Sequence, residues 1–239
     1  MPRVGIVTAM ETEVAPLVRH WRISVGEFGG RRYKFFETSD AVLLCGGIGY
    51  EAGRRAAEAI VARAQPALLV AAGLAGGLGP QWTLGKTLVA GTVIDELTGR
   101  SMATAQGEGV VVSSREIAGL ARKRELAARF HADLVDMEGF AVGEVAEAHG
   151  LPFLAAKAVS DDIEFEMPPL QRFVDGEGKF EAGRFTLHAV FHPGWWPVIA
   201  RLKRHSGRAA EALAGLLEEL IREHAGKSER TESAVAARR

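Results

Sequence analysis

The chain has little with which to staple itself, cross a membrane or attract a polyanion. Its 239 residues include one cysteine, Cys45, and two tyrosines. A single thiol excludes any disulfide within the chain and any cysteine-built metal centre, and it suits a reducing compartment. Lysine and arginine number 29 against 30 aspartates and glutamates, a formal net charge of -1. That balance sets up no general field for nucleic acid or for an anionic bilayer. Long hydrophobic runs are also missing. Residues 4–9 are apolar but too few to span a membrane, and the apolar stretch 67–78 is broken by glycines. These absences lead us to expect a cytoplasmic protein with no nucleic-acid partner, no membrane span, no metal and no organic cofactor. What remains is ordinary for a globular chain: 47% hydrophobic and 25% charged residues, enough to bury a large core.

Short apolar runs bounded by glycine or proline predict strands at residues 3–8, 41–45, 67–72, 86–94, 109–112 and 152–159. Helical periodicity appears at 12–21, 51–64, 114–131, 137–149 and 197–224. Strands alternating with helices imply a three-layer α/β/α fold around a central, largely parallel sheet. A hairpin signal at 32–40 makes that sheet mixed. Residues 1–225 read as one catalytic domain, with a charged tail at 226–239 expected to be disordered. The glycine- and proline-rich stretch 167–184 reads as a long excursion over a site.

Six segments carry candidate chemistry, each with a plainer alternative. Gly47-Ile48-Gly49-Tyr50-Glu51-Ala52, between a strand and a helix, matches the dinucleotide pattern G-x-G-x-x-G/A, or is simply a tight turn. The strand after it ends without the acid that would hold a ribose. Gly73-Leu74-Ala75-Gly76-Gly77 ends an apolar strand, where ligands gather in parallel sheets; the alternative is a bend. Ser160 and Asp161 close another apolar strand. An acid there is partly desolvated and can keep a proton for a leaving group, or it can cap a helix. If the strand stays regular, Lys157, Val159 and Asp161 share one side. Asp136-Met137-Glu138 sits where a strand meets a helix, and a carboxylate there suits paired hydroxyls or a helix dipole. Glu11 and Glu13 open the first helix, where the dipole alone explains acids. Trp195 and Trp196 before the last helix suit either an apolar ligand or packing of the turn.

In this order the motifs resemble the purine nucleoside phosphorylase and nucleosidase superfamily. The opening Gly5-Ile6-Val7-Thr8-Ala9-Met10-Glu11-Thr12-Glu13 is similar to that of methylthioadenosine/S-adenosylhomocysteine nucleosidases. Gly46-Gly47-Ile48-Gly49, Ala72-Gly73-Leu74-Ala75-Gly76-Gly77, Val135-Asp136-Met137-Glu138 and Val159-Ser160-Asp161 follow. The resemblance implies a small purine nucleoside as the ligand and a homo-oligomer, most often a dimer. It implies that Asp161 protonates the purine N7 and that Glu138 holds the ribose hydroxyls. Met137 would pack on the sugar, and Glu13 would activate water. Ile48, Gly73, Leu74, Ala75, Gly76 and Ser160 would line the pocket. The chain departs from the nucleosidases in a short 91–109 segment and in Leu74, where the family has a serine. Met167-Pro168-Pro169 and 193–197 are similar instead to hopanoid-associated phosphorylases, which implies a large apolar group on the nucleoside, with the Trp pair facing it.

Hydrolysis is the reading favoured by Glu13, whose charge repels a phosphate nucleophile. Phosphorolysis, with inorganic phosphate as co-substrate, would need cations, and Arg31, Arg32, Arg54 and Arg55 are the nearest candidates. Binding of a nucleoside without turnover is the third alternative.

Overall fold

The computed structural model describes residues 3–168 and 170–236, without the side chains of 186, 189, 190, 193 and 226–236. At its centre β1 (Val4–Thr8) lies between β4 (Ala41–Cys45) and β5 (Leu68–Gly77), and all three are parallel. β11 (Phe153–Asp161) runs parallel along the other side of β5. Each of these strands is almost wholly apolar because helices cover both faces of the sheet. Beyond β4 lies β3 (Arg31–Glu37), antiparallel to β4 across the turn at 38–40 as the hairpin signal implied, and beyond it β2 (Arg22–Phe28), which adds a second antiparallel pairing. On the far side lie β10 (Leu134–Asp136), β9 (Val110–Ser113), β7 (Thr92–Asp95) and β8 (Ser101–Ala103). β6 (Thr87–Ala90) edges β11.

Two helical layers complete the three-layer architecture. On one face α2 (Tyr50–Ala64) and α4 (Gly139–Ala148) bury Ala56, Ile60, Phe140 and Val145 against Val7, Leu44 and Leu69. On the other, α1 (Glu11–Val18) and α6 (Trp196–Ala236) bury Val14, Leu17, Leu213 and Leu217 against Ile6, Leu43 and Val70. Ala209, Leu213 and Leu217 recur every fourth residue of α6, so one stripe of the helix meets the sheet. α3 (Leu120–Phe130) covers the β9–β10 end through Leu126. α5 (Ala182–Phe191) follows a short 3-10 turn at Leu170–Phe173.

Several sequence expectations need correction. The glycine segment is not a loop after the strand: β5 continues through Gly73 to Gly77. The 86–94 run divides at Gly91 into two strands that pair with different partners. The helix expected over 114–131 begins only at Leu120. The segment before it is held open by Glu96, which accepts from the Arg115 N–H at 2.6 Å. Of the tail expected at 226–239, the backbone is described to Ala236, where α6 ends. Residues 237–239 lie outside the described residues.

The topology decides where the acids meet. β5 pairs with β11 along its length, while Gly76 and Gly77 also pair antiparallel with β10. The ends of β1, β10 and β11 therefore converge on the glycine half of β5.

Candidate active site

Asp161, Glu138 and Glu13 come from three separate strand ends and line one cavity of about 820 Å³. Glu13 follows β1 in the first turn of α1. Its Oε2 accepts from Thr8 Oγ1 at 2.5 Å and from the Met10 N–H at 3.3 Å. The helix-terminus reading of this residue is thus half right, since the carboxylate caps the helix while facing the cavity. Burial pushes its carboxyl above the ordinary value of 4.5. Glu138 precedes α4 but does not cap it. That task falls to Asp136, whose Oδ2 accepts from the Gly139 N–H at 2.8 Å. Glu138 instead turns to α2, where Oε1 accepts from the Gly49 N–H at 2.6 Å. Gly53 makes the approach possible, because a Cβ there would lie 3.0 Å from the Glu138 Cβ. Burial, with Asp136 nearby, pushes the Glu138 carboxyl up to about 8.

Asp161 ends β11 and caps no helix. The strand does not stay regular, for a bulge between Val159 and Asp161 shifts the register and re-aims the carboxyl. Oδ1 accepts from Ser160 Oγ at 2.6 Å, and Oδ2 accepts from Lys123 Nζ. Burial alone was expected to set the protonation of this acid, but a lysine stands against it. Lys123 is fully buried in α3 and also donates to the Asp162 carbonyl at 2.5 Å. Gly76 leaves the room, since a Cβ there would lie 3.0 Å from Lys123 Cε and 3.1 Å from Asp161 Oδ2.

A second buried lysine serves the other two acids. Lys157 Nζ lies 2.6 Å from Asp136 Oδ2, and both side chains are almost fully buried. Burial would lower the pKa of this ammonium, but Asp136, Glu138 and Glu13 reverse that and raise it above its ordinary value. Gly73, opposite Lys157 in the β5–β11 ladder, sits beside this group rather than on the cavity wall: its missing Cβ would be 3.5 Å from Glu13 Oε2 and 3.8 Å from Lys157 Nζ. Sequence reasoning missed both lysines as site residues. A signal existed for Lys123, which shares the inward stripe of α3 with Leu126 and Ala127. A signal existed too for Lys157, a lone cation in an apolar strand.

Ile48, Leu74, Ala75, Gly76, Met137 and Ser160 line the cavity. Apolar side chains also reach it from the excursion, Met167, Leu170, Phe180 and Phe185, and from α6, Ile199 and Leu202. The Trp pair is not part of it. Trp195 packs against Arg172 and His188, and Trp196 is 57% exposed. The 91–109 segment contributes nothing to the lining. The Gly47–Gly49 turn is already occupied by protein acceptors. Gly47 N donates to Ala9 O, Ile48 N to Gly178 O at 2.6 Å, and Gly49 N to Glu138. No array of free N–H donors remains there for a pyrophosphate, which removes the dinucleotide alternative.

The sequence matches the family model of the phosphorylase superfamily over residues 3–118 and 100–181. No curated protein matches it in sequence. Many solved structures share its fold, three of which serve as examples. A methylthioadenosine/S-adenosylhomocysteine nucleosidase of Colwellia psychrerythraea, in complex with adenine, has a TM-score of 0.69 at 19% identity, covering 92% of this chain and 94% of that one. The corresponding nucleosidase of Neisseria meningitidis, in complex with methylthio-immucillin-A, gives 0.66 at 18% identity, with 92% and 100% covered. Futalosine hydrolase of Helicobacter pylori gives 0.65 at 17% identity, with 91% and 98% covered.

Proposed function

Because the chain belongs to the phosphorylase superfamily, we propose that it cleaves the N-glycosidic bond of a purine nucleoside with water as the nucleophile. The observation that carries this reading is the meeting of Glu13, Glu138 and Asp161 in one cavity from three separate strand ends. Such a set divides the labour of glycoside cleavage. Glu138 accepts from the ribose hydroxyls, with Met137 against the sugar. As the bond from C1′ to the base breaks, the departing base takes a proton at N7 from Asp161. Water attacks C1′ and gives its proton to Glu13. A placed general acid is worth about 10²–10⁴-fold in rate. The fixed carboxylates also stabilise the positive charge developing on the sugar.

Water is favoured over phosphate by what surrounds the cavity floor. Lys157, the cation beside Glu13 and Glu138, is already held by Asp136 at 2.6 Å and is not free for a phosphate. The N–H groups of the glycine turn have acceptors already. The arginines raised as phosphate ligands are engaged elsewhere: Arg31 and Arg55 bond Glu177, and Arg54 bonds Glu51. Arg32 does not line the cavity. The neighbours named as nucleosidases and as a hydrolase agree with this choice.

Adenine nucleosides are the first substrates to test, given the adenine complex of one neighbour. The apolar side chains that the excursion and α6 add to the cavity favour a second reading of the substrate, in which the 5′ position carries a large apolar group. Adenosine, methylthioadenosine, S-adenosylhomocysteine and a 5′-long-alkylthio adenosine, each with and without phosphate, separate the possibilities by adenine release. Release without phosphate supports hydrolysis, and preference for the alkyl compound supports the second reading. Strict phosphate dependence replaces water by phosphate. Binding without release from any of the four leaves a nucleoside-binding protein.

A further inference from the structure

We propose that Lys123 is the proton source that loads Asp161, so that the two form a relay and Asp161 does not act alone. This assignment rests on the nucleoside reading above. Both groups are buried, and the lysine ends on the Asp161 oxygen opposite the one held by Ser160. Two of the three Lys123 N–H bonds have acceptors in the protein, Asp161 Oδ2 and the Asp162 carbonyl. Gly76 has no side chain at the point where Lys123 Cε passes, and this lets the ammonium reach the cavity wall.

A buried ammonium touching a buried carboxylate holds one transferable proton between them. When a purine arrives, the Lys123 ammonium passes that proton to Asp161, and Asp161 passes a proton on to N7 as the bond from C1′ to the base breaks. The electron pair of that bond goes to the base. The pair is left as the Asp161 carboxylate and a neutral lysine amine. After the base leaves, the amine takes a proton from solvent and the ammonium–carboxylate pair is restored. The other titratable groups at this end are Glu116 on the loop before α3, Asp162 beside the pair, and Lys203 and His205 on α6. Burial, with Arg204 and Arg201, holds His205 below its ordinary 6.5. It is therefore neutral near pH 7 and offers no competing acidic proton.

The test compares the wild type with K123M and K123R on adenosine, or the best substrate found, and on 4-nitrophenyl β-riboside, whose leaving group departs without protonation. K123M is expected to lose about 10²–10⁴-fold in kcat on the purine nucleoside at pH 7, with KM within a few-fold. Its remaining activity should rise toward acid pH, where Asp161 is protonated from solvent. The nitrophenyl riboside should be cleaved within a few-fold of wild type. K123R, which keeps the charge but does not give up a proton, should recover stability and not purine kcat. Recovery of purine kcat by K123R, or an equal loss on both substrates, overturns the relay and leaves an orienting lysine. A wild type that neither binds adenine nor releases it defeats the nucleoside reading, and the relay falls with it.

Discussion

Replacing Lys157 by methionine is the most informative perturbation of the acidic centre, because it removes one charge and little volume. Lys157 Nζ is 2.6 Å from Asp136 Oδ2, and neither side chain has more than 1% exposure. Breaking a buried pair by deleting one partner costs roughly 3–5 kcal/mol, since the other charge is left unpaired in a poor solvent for it. Asp136 keeps two other donors, Ser113 Oγ at 2.6 Å and the Gly139 N–H at 2.8 Å. The loss should therefore fall in the lower half of that range, about 3–4 kcal/mol. For a domain of this size it lowers Tm by roughly 6–16 °C. Urea denaturation at pH 7 measures it. The double variant K157M/D136N carries the decisive comparison. An asparagine can set its oxygen toward the Gly139 N–H and its amide toward Ser113 Oγ, so no buried charge is left over. The double variant should be more stable than K157M alone. A K157M protein within about 1 kcal/mol of wild type would refute the charge-compensation argument. So would a double variant no better than the single, which would trace the loss to packing of the lysine stem.

Other outcomes follow from the same geometry. Glu138 has its pKa raised from 4.5 to about 8, so its contribution to stability is complete below about 4.5 and is lost as pH rises to about 8. E138Q should flatten that slope in Tm against pH. Under the proposed role of the Glu138 carboxylate in holding the ribose, nucleoside kcat/KM should rise through the same interval in the wild type only. Glu37 is the opposite case: burial raises its pKa, but Ser24 with Arg63 and Arg22 outweighs this and brings it to about 2. Its contribution is present above 4.5 and lost as pH falls through about 2, so the Tm gap between wild type and E37Q should close over that acid range. G53A should raise KM several-fold by displacing Glu138, 3.0 Å from the added Cβ. Its Tm should not fall to match, because alanine favours the α2 helix by about 1 kcal/mol over glycine. Unchanged KM would show that Glu138 yields without loss.

Much of this arrangement is legible in the sequence, and the limits have physical causes. β1, β4 and β11 are apolar runs ended by turn residues or acids, so local composition reveals them. The three acids stand at strand ends, where α/β folds place ligands. The continuation of β5 through Gly73–Gly77 is not legible, because glycine has low strand propensity and the pairing with β10 and β11 that holds it is non-local. Lys123 and Lys157 read as surface cations until tertiary structure supplies Asp161 and Asp136. The bulge that turns Asp161 toward α3 leaves no trace in a period-two pattern. Trp195 follows the plainer of its two readings, packing against Arg172 and His188, because aromatics pack a turn as readily as they cover a ligand.

The central claim is cleavage of a nucleoside by water at the Glu13, Glu138 and Asp161 cavity, and oxygen transfer tests it most directly. The protein is incubated in phosphate-free ¹⁸O-water with adenosine, methylthioadenosine and a 5′-alkylthio adenosine, and the sugar product is analysed by mass spectrometry. The prediction is free adenine together with one ¹⁸O at the sugar C1′, both abolished by D161N. A sugar 1-phosphate formed only when phosphate is added, or no free base from any of the three, would contradict it.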